Sequence, residues 1–146
     1  MQAVSSGEHW AVRLSEGETL PTALEAFARA QHIRAAMIVS GIGLLRETTV
    51  GYWNGQEYET SVYPAPLELV SAAGSIAEVD GQPSVHLHVA LGGKDHALVG
   101  GHLVRATIGL LAEVALDTFP GRVFGRPLDE SRGIRMLDLE PGSNQV

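Results

Sequence analysis

The sequence predicts an α+β domain: an antiparallel or mixed β-sheet with one main helix packed on it. Three observations carry that expectation. Turn signals recur about every ten residues, which suits a series of antiparallel strands. One stretch alone, residues 20–30, repeats its apolar side chains at helical spacing. Seventeen glycines stand against three Phe, three Tyr and two Trp, so turns are many and the core is mainly Val, Ile, Leu and Ala.

Each element can be justified in order. His9 to Leu14 alternates as a strand and stops at Ser15-Glu16-Gly17. Pro21 suits a helix entry, and Thr22 with Glu25 three residues later reads as a capping box. Leu20, Ala23, Leu24, Phe27 and Ala28 share one helix face, with Glu25 and Arg29 an i,i+4 pair opposite. The helix should fade at Gln31-His32. Met37 to Ser40 is a short apolar strand running into Gly41-Ile42-Gly43, a tight turn or a close approach of backbones. No third glycine and no helix pattern follow, so this is not a dinucleotide fingerprint.

Thr48 to Trp53 and Tyr58 to Tyr63 form a hairpin about Asn54-Gly55. Leu67 to Val79 and Ser84 to Leu91 form another about Asp80-Gly81, and Gly92-Gly93-Lys94-Asp95 is a third turn. Gly100-Gly101-His102-Leu103 is too rich in glycine for a helix, and Ile108 to Phe119 is a strand. A loop from Arg122 leads to a terminal strand, Ile134 to Leu139. Residues 1–140 are expected to be a single domain and 141–146 a flexible tail.

Composition removes several function classes. There is no cysteine, so disulfides, thiol nucleophiles and thiolate metal sites are excluded, leaving His, Asp and Glu as strong ligands. The net charge is −7, and a duplex-binding domain ordinarily shows a basic face. Arg122, Arg126, Arg132 and Arg135 are the one local basic cluster, interrupted by Asp129, Glu130 and Asp138. Direct DNA binding is therefore disfavoured. Gly125-Arg126-Pro127 resembles the core of an AT-hook, but Phe124 stands where arginine is needed, and the segment reads as a turn. No apolar run approaches the roughly 20 residues that span a bilayer. No basic-then-apolar start is present either, and the expected location is the cytoplasm.

The chemistry concentrates on histidine. In a strand, residues i and i+2 face the same side, so His86 and His88 project together about 7 Å apart. Val85, Leu87 and Val89 fill the other face. His102 follows one turn and one glycine-rich passage later, where a neighbouring strand could supply a third ligand, and Gly100 and Gly101 would leave room beside it. Three neutral imidazoles with a fourth position free is the pattern of a reactive rather than a structural site. The expected cofactor is one divalent transition metal, zinc before iron or nickel. His96, on a turn, and His9 and His32, near element ends, read as solvated.

Two carboxylates sit in apolar runs: Glu68 after Pro66-Leu67, and Glu113 within Leu110 to Leu116. Such charges are costly unless paired or used. Either could be the catalytic acid/base or a partner of a ligand histidine. Either could equally form an ion pair with Arg105 or Arg126, or a subunit contact.

Taken together, Ser40-Gly41-Ile42-Gly43, Leu67-Glu68-Leu69-Val70-Ser71 with Gly74-Ser75-Ile76, His86-Leu87-His88-Val89, Gly100-Gly101-His102-Leu103 and Ala112-Glu113-Val114 occur in a familiar order. From about Trp10 to Leu139 the chain resembles the plant-and-prokaryote conserved (PPC) domain. The resemblance implies an α+β fold with an antiparallel sheet, and a homotrimer. Plant members follow AT-hooks, which is why stand-alone prokaryotic relatives carry a DNA-binding label; this chain has no AT-hook. It keeps the three histidines of metal-binding prokaryotic members, and Glu68 falls in a segment that plant members use for partner contacts. The fold also resembles acetolactate decarboxylase, which holds zinc by a His-x-His pair and a later histidine. The implied function is that of a zinc-binding trimer, acting on a small polar molecule as a lyase or hydrolase if it is an enzyme. The competing expectation is a DNA-associated regulatory protein working through its trimer.

Overall fold

A computed structural model describes residues 1–141. The elements are β1 (Gln2–Ser6), β2 (His9–Ser15), β3 (Thr19–Leu20), α1 (Thr22–Ala30), β4 (Ala36–Trp53), β5 (Tyr58–Tyr63), β6 (Leu67–Val79), β7 (Gln82–Gly92), β8 (Leu98–Thr118), β9 (Leu128–Asp129) and β10 (Ile134–Arg135). The main sheet runs β1-β2-β8-β7-β6-β4-β5, with β3 on β8, and every strand pair in it is antiparallel. Because β4 also pairs with β8, strands β8, β7, β6 and β4 close into a ring. Leu45, Ile76, Leu87, Leu91, Ile108 and Leu116 are among its fully buried side chains. Each such burial contributes on the order of 1.5–3 kcal/mol. No helix among the described residues is long and apolar enough to cross a membrane.

Two expected breaks are continuous strand. Residues 36–53 form one strand of 18 residues, not a short strand, a turn and a second strand. Gly41-Ile42-Gly43 is its close-approach point. Gly43 has φ +153°, and a Cβ there would lie 2.3 Å from the Leu111 carbonyl oxygen, so only glycine lets β4 touch β8. Register shifts between Ile38 and Ser40, Gly43 and Leu45, and Arg46 and Val50 bend β4 and interrupt its alternation. The glycine-rich passage before Ile108 likewise belongs to β8, a strand of 21 residues.

Helix α1 forms where expected, with Leu24, Phe27 and Ala28 buried and Trp10 edge-on to Phe27 at 5.2 Å. Its capping box does not. Pro21 is the N-cap residue and no side chain caps the helix; Glu25 instead accepts the Val85 N–H at 3.2 Å. Arg29 donates to Gln82 at 3.2 Å rather than pairing with Glu25. Both side chains thus tie the helix to β7, a tertiary use that overrides the local one. The polar start forms β1, which lies on β2 and had no alternation to announce it. The terminal strand shortens to Ile134–Arg135, paired with Leu128–Asp129. Of the expected tail, Pro141 is a turn residue and 142–146 lie outside the described residues.

Candidate metal centre

Strand β7 sorts its residues by side. Val85, Leu87 and Val89 are buried, while His86 and His88 project from the opposite face. His102 on β8 stands directly across from His88 in the strand register. The three rings therefore converge, with centroids 5.1 Å apart for His86–His88, 5.0 Å for His86–His102 and 5.7 Å for His88–His102. One nitrogen from each lies within 4.8 Å of the others. Nitrogens held tetrahedrally at 2.0–2.1 Å from one zinc ion lie about 3.4 Å apart, so small rotamer changes close the set.

The donors also suit an ion chemically. His102 Nδ1 and His86 Nε2 are buried with no hydrogen-bond partner, an arrangement that costs about 1–3 kcal/mol per group unless something satisfies it, and His86 can ligate only once Arg126 gives up its Nδ1. Burial pushes the His86 imidazole down to about 4, with Arg126, His102 and His88 adding to the effect. Burial also lowers His102, with His88 and Arg126 contributing. Both rings are neutral at pH 7, which is the ligating form. His88 is exposed, so the cluster opens to solvent on that side.

Neighbouring elements hold the rings. Tyr58 of β5 stacks on His102 at 4.8 Å and 30°, and Trp53 meets Tyr58 edge-on at 5.2 Å. Gly101 has φ +149°, and a Cβ there would lie 2.6 Å from the Gly51 carbonyl oxygen. A Cβ at Gly100 would meet the Val89 carbonyl oxygen at 2.2 Å. These glycines therefore serve strand contact and do not, as expected, leave space for a ligand.

Arg126 is the residue the sequence reading missed. The expected turn around Gly125 is a strap: Gly125 bridges to both Glu78 and Asp138, and the Arg126 N–H donates to the Glu78 carbonyl at 3.0 Å. This delivers a buried guanidinium to the histidines. Its Nη1 lies 3.2 Å from His86 Nδ1, and its Nη2 donates to Ser75 Oγ at 2.8 Å. Ser75 faces His86 across the β6–β7 register. The hint available was a Gly-Arg-Pro outside any periodic element, and charge composition alone could not place it.

The predicted carboxylates are elsewhere. Glu113 and Glu68 are both exposed, so neither is the buried charge that its apolar run suggested. Glu113 is eleven residues along β8 from His102, on the order of 35 Å of strand, and it faces Arg13 and Ile42 across the sheet. Glu68 faces Gly92 on β7. Among the described residues neither makes an ion pair with Arg105 or Arg126. His96 and His32 are exposed and apart from the cluster, and exposed His9 pairs with Asp117 at 2.6 Å.

Fold and site together define a β-rich α+β domain with a trihistidine cluster on its sheet. The model of the Plants and Prokaryotes Conserved (PCC) domain matches residues 1–120, and the chain belongs to that family. A metal-containing protein from Archaeoglobus fulgidus is 33% identical with a TM-score of 0.80, over 90% of this chain and 94% of that one. A candidate DNA-binding protein from Ralstonia eutropha JMP134 is 26% identical with a TM-score of 0.84, over 92% and 94%. The Bifunctional protein GlmU of Synechococcus sp. (strain JA-3-3Ab) is 32% identical over 130 residues, 88% of this chain. The chain spans about a fifth of the length of the curated relatives it matches.

Proposed function

We propose that this PCC-domain protein binds one divalent transition metal, zinc first, through His86, His88 and His102, and works as a homotrimer. The observation that carries the reading is convergence: three ligand nitrogens within 4.8 Å, with buried, unpartnered nitrogens on two of the rings. The metal-containing relative from Archaeoglobus supports it. A bound ion would supply Lewis acidity or an activated water, the chemistry of a lyase or hydrolase acting on a small polar molecule. The protein's own part is to hold the rings neutral, fix His102 beneath Tyr58 and keep one side open. Exposed apolar side chains on β4 and β8, including Val39, Ile42 and Leu110, favour self-association. Elemental analysis of the purified protein tests the centre. We expect one metal per chain, lost in a His86→Ala, His88→Ala double variant; absence of metal from the parent removes the reading.

A DNA-associated role is the second reading, supported by the Ralstonia relative. The net charge of −7 weighs against it, as does the internal engagement of Arg126, Arg132 and Arg135. DNA binding that weakens with salt yet ignores the histidine variant would favour this second role.

A further inference from the structure

We propose that Arg126 is the anion-recognition residue of the trihistidine centre, and that the small molecule taken there is a carboxylate. The inference rests on the metal-centre reading and names the class of ligand it receives. Arg126 is 6% exposed, and arginine keeps its charge at any ordinary pH. A buried cation normally faces an acid. This one does not: its side chain reaches His86 Nδ1 and Ser75 Oγ, its Nε is buried without a partner, and among the described residues no carboxylate pairs with it. The groups that act on His86 and His102 are the other imidazoles and Arg126, again with no acid among them.

Lone-pair chemistry adds a second argument. A neutral imidazole has one lone pair, and a guanidinium can only donate. In its contact with His86, Arg126 therefore takes that lone pair. A metal ion on His86 needs the same one, so coordination and the Arg126 contact exclude each other. Loading the centre turns the guanidinium away from His86 with its donors free. It also sets a divalent charge beside a monovalent one on three neutral ligands. The missing element is an anion that binds the ion through oxygen and Arg126 through a planar pair of acceptors. A carboxylate has that shape, and a single guanidinium with one hydroxyl beside it suits a singly charged group better than a phosphate.

The test uses the Co(II)-loaded protein, whose visible spectrum reports the metal's surroundings without reference to any activity. Glycolate should shift the spectrum and saturate, and inorganic phosphate should compete poorly. Arg126→Gln should keep its metal by elemental analysis and bind glycolate at least about tenfold more weakly. Arg126→Lys, which keeps the charge and loses the fork, should fall between; if the glutamine variant does not fold, the lysine variant decides. Unchanged glycolate affinity in either variant overturns the assignment. So does tighter binding of phosphate, or a loaded parent that ignores carboxylates, and in those cases the metal centre itself stands. A parent that takes up no metal overturns the centre and this inference together.

Discussion

The two ends of β8 are built from similar material and arrive at opposite results. Near His102, four nitrogen-bearing side chains from three places in the chain crowd together, all but His88 half-buried or buried, with no acid among them. Near Glu113, acid and base are also neighbours, since Arg13 faces Glu113 in register. There they border an open concavity of about 510 Å³ lined also by Gln2, Ser40 and Ile42, and no ligand set assembles. That concavity is thus not where the ligating groups converge. Direction and burial of side chains decide which end has chemistry. A pocket's size and the mere presence of charged residues do not.

The sharpest way to break this contrast is to remove the third ligand. His102→Ala keeps the His86–His88 pair but should lower metal affinity by orders of magnitude, read by equilibrium dialysis with elemental analysis. The fold should survive, because His102 is only half-buried and its backbone pairing with His88 does not need the ring. Full retention of metal would mean that the pair alone, or another group, forms the centre.

This contrast also shows how far the sequence could be read. The two-residue period of β7 placed His86 and His88 on one face, and β8 brought His102 across from His88, because alternation follows directly from strand geometry. The hairpins at Asn54-Gly55 and Asp80-Gly81 were legible for a similar local reason: Asp80 and Gly81 both have positive φ, as that turn requires. What escaped depends on distant partners. The continuity of β4 through Gly41-Ile42-Gly43 rests on β8 lying against it. The roles of Glu25 and Arg29 rest on β7, and the position of Arg126 rests on a strap across β6. Helical spacing and turn residues carry no signal for such contacts. Glu113 misled for a related reason: Ala112, Val114 and Leu116 face the core, while Glu113 lies on the opposite face with half-buried Leu111 and Ala115.

A smaller effect should separate the two ends by pH. His86 and His102 have folded-state values below the ordinary imidazole value of about 6.5, His86 at about 4. Between those limits the unfolded chain binds more protons than the folded one. In chelator-treated protein, stability should therefore be full above about 6.5 and decline as pH falls towards 4. Urea midpoints at several pH values would show the decline, and a His86→Ala, His102→Ala variant should flatten it. A parent profile already flat across this window would contradict the burial of these rings.

The smallest expected effect is at the other end. Glu113→Gln removes a charge from an exposed side chain eleven residues from His102, in a place where Arg13 is its facing partner. Exposed pairs of this kind contribute about 0–1 kcal/mol, so the melting temperature should barely move. Metal stoichiometry and the Co(II) spectrum should match the parent in the isolated chain and in any assembly. A spectrum altered by this one change would mean that Glu113 reaches a metal centre after all. Since β8 separates it from its own histidines, that centre would belong to a neighbouring copy, and the two ends of β8 would then be halves of one site.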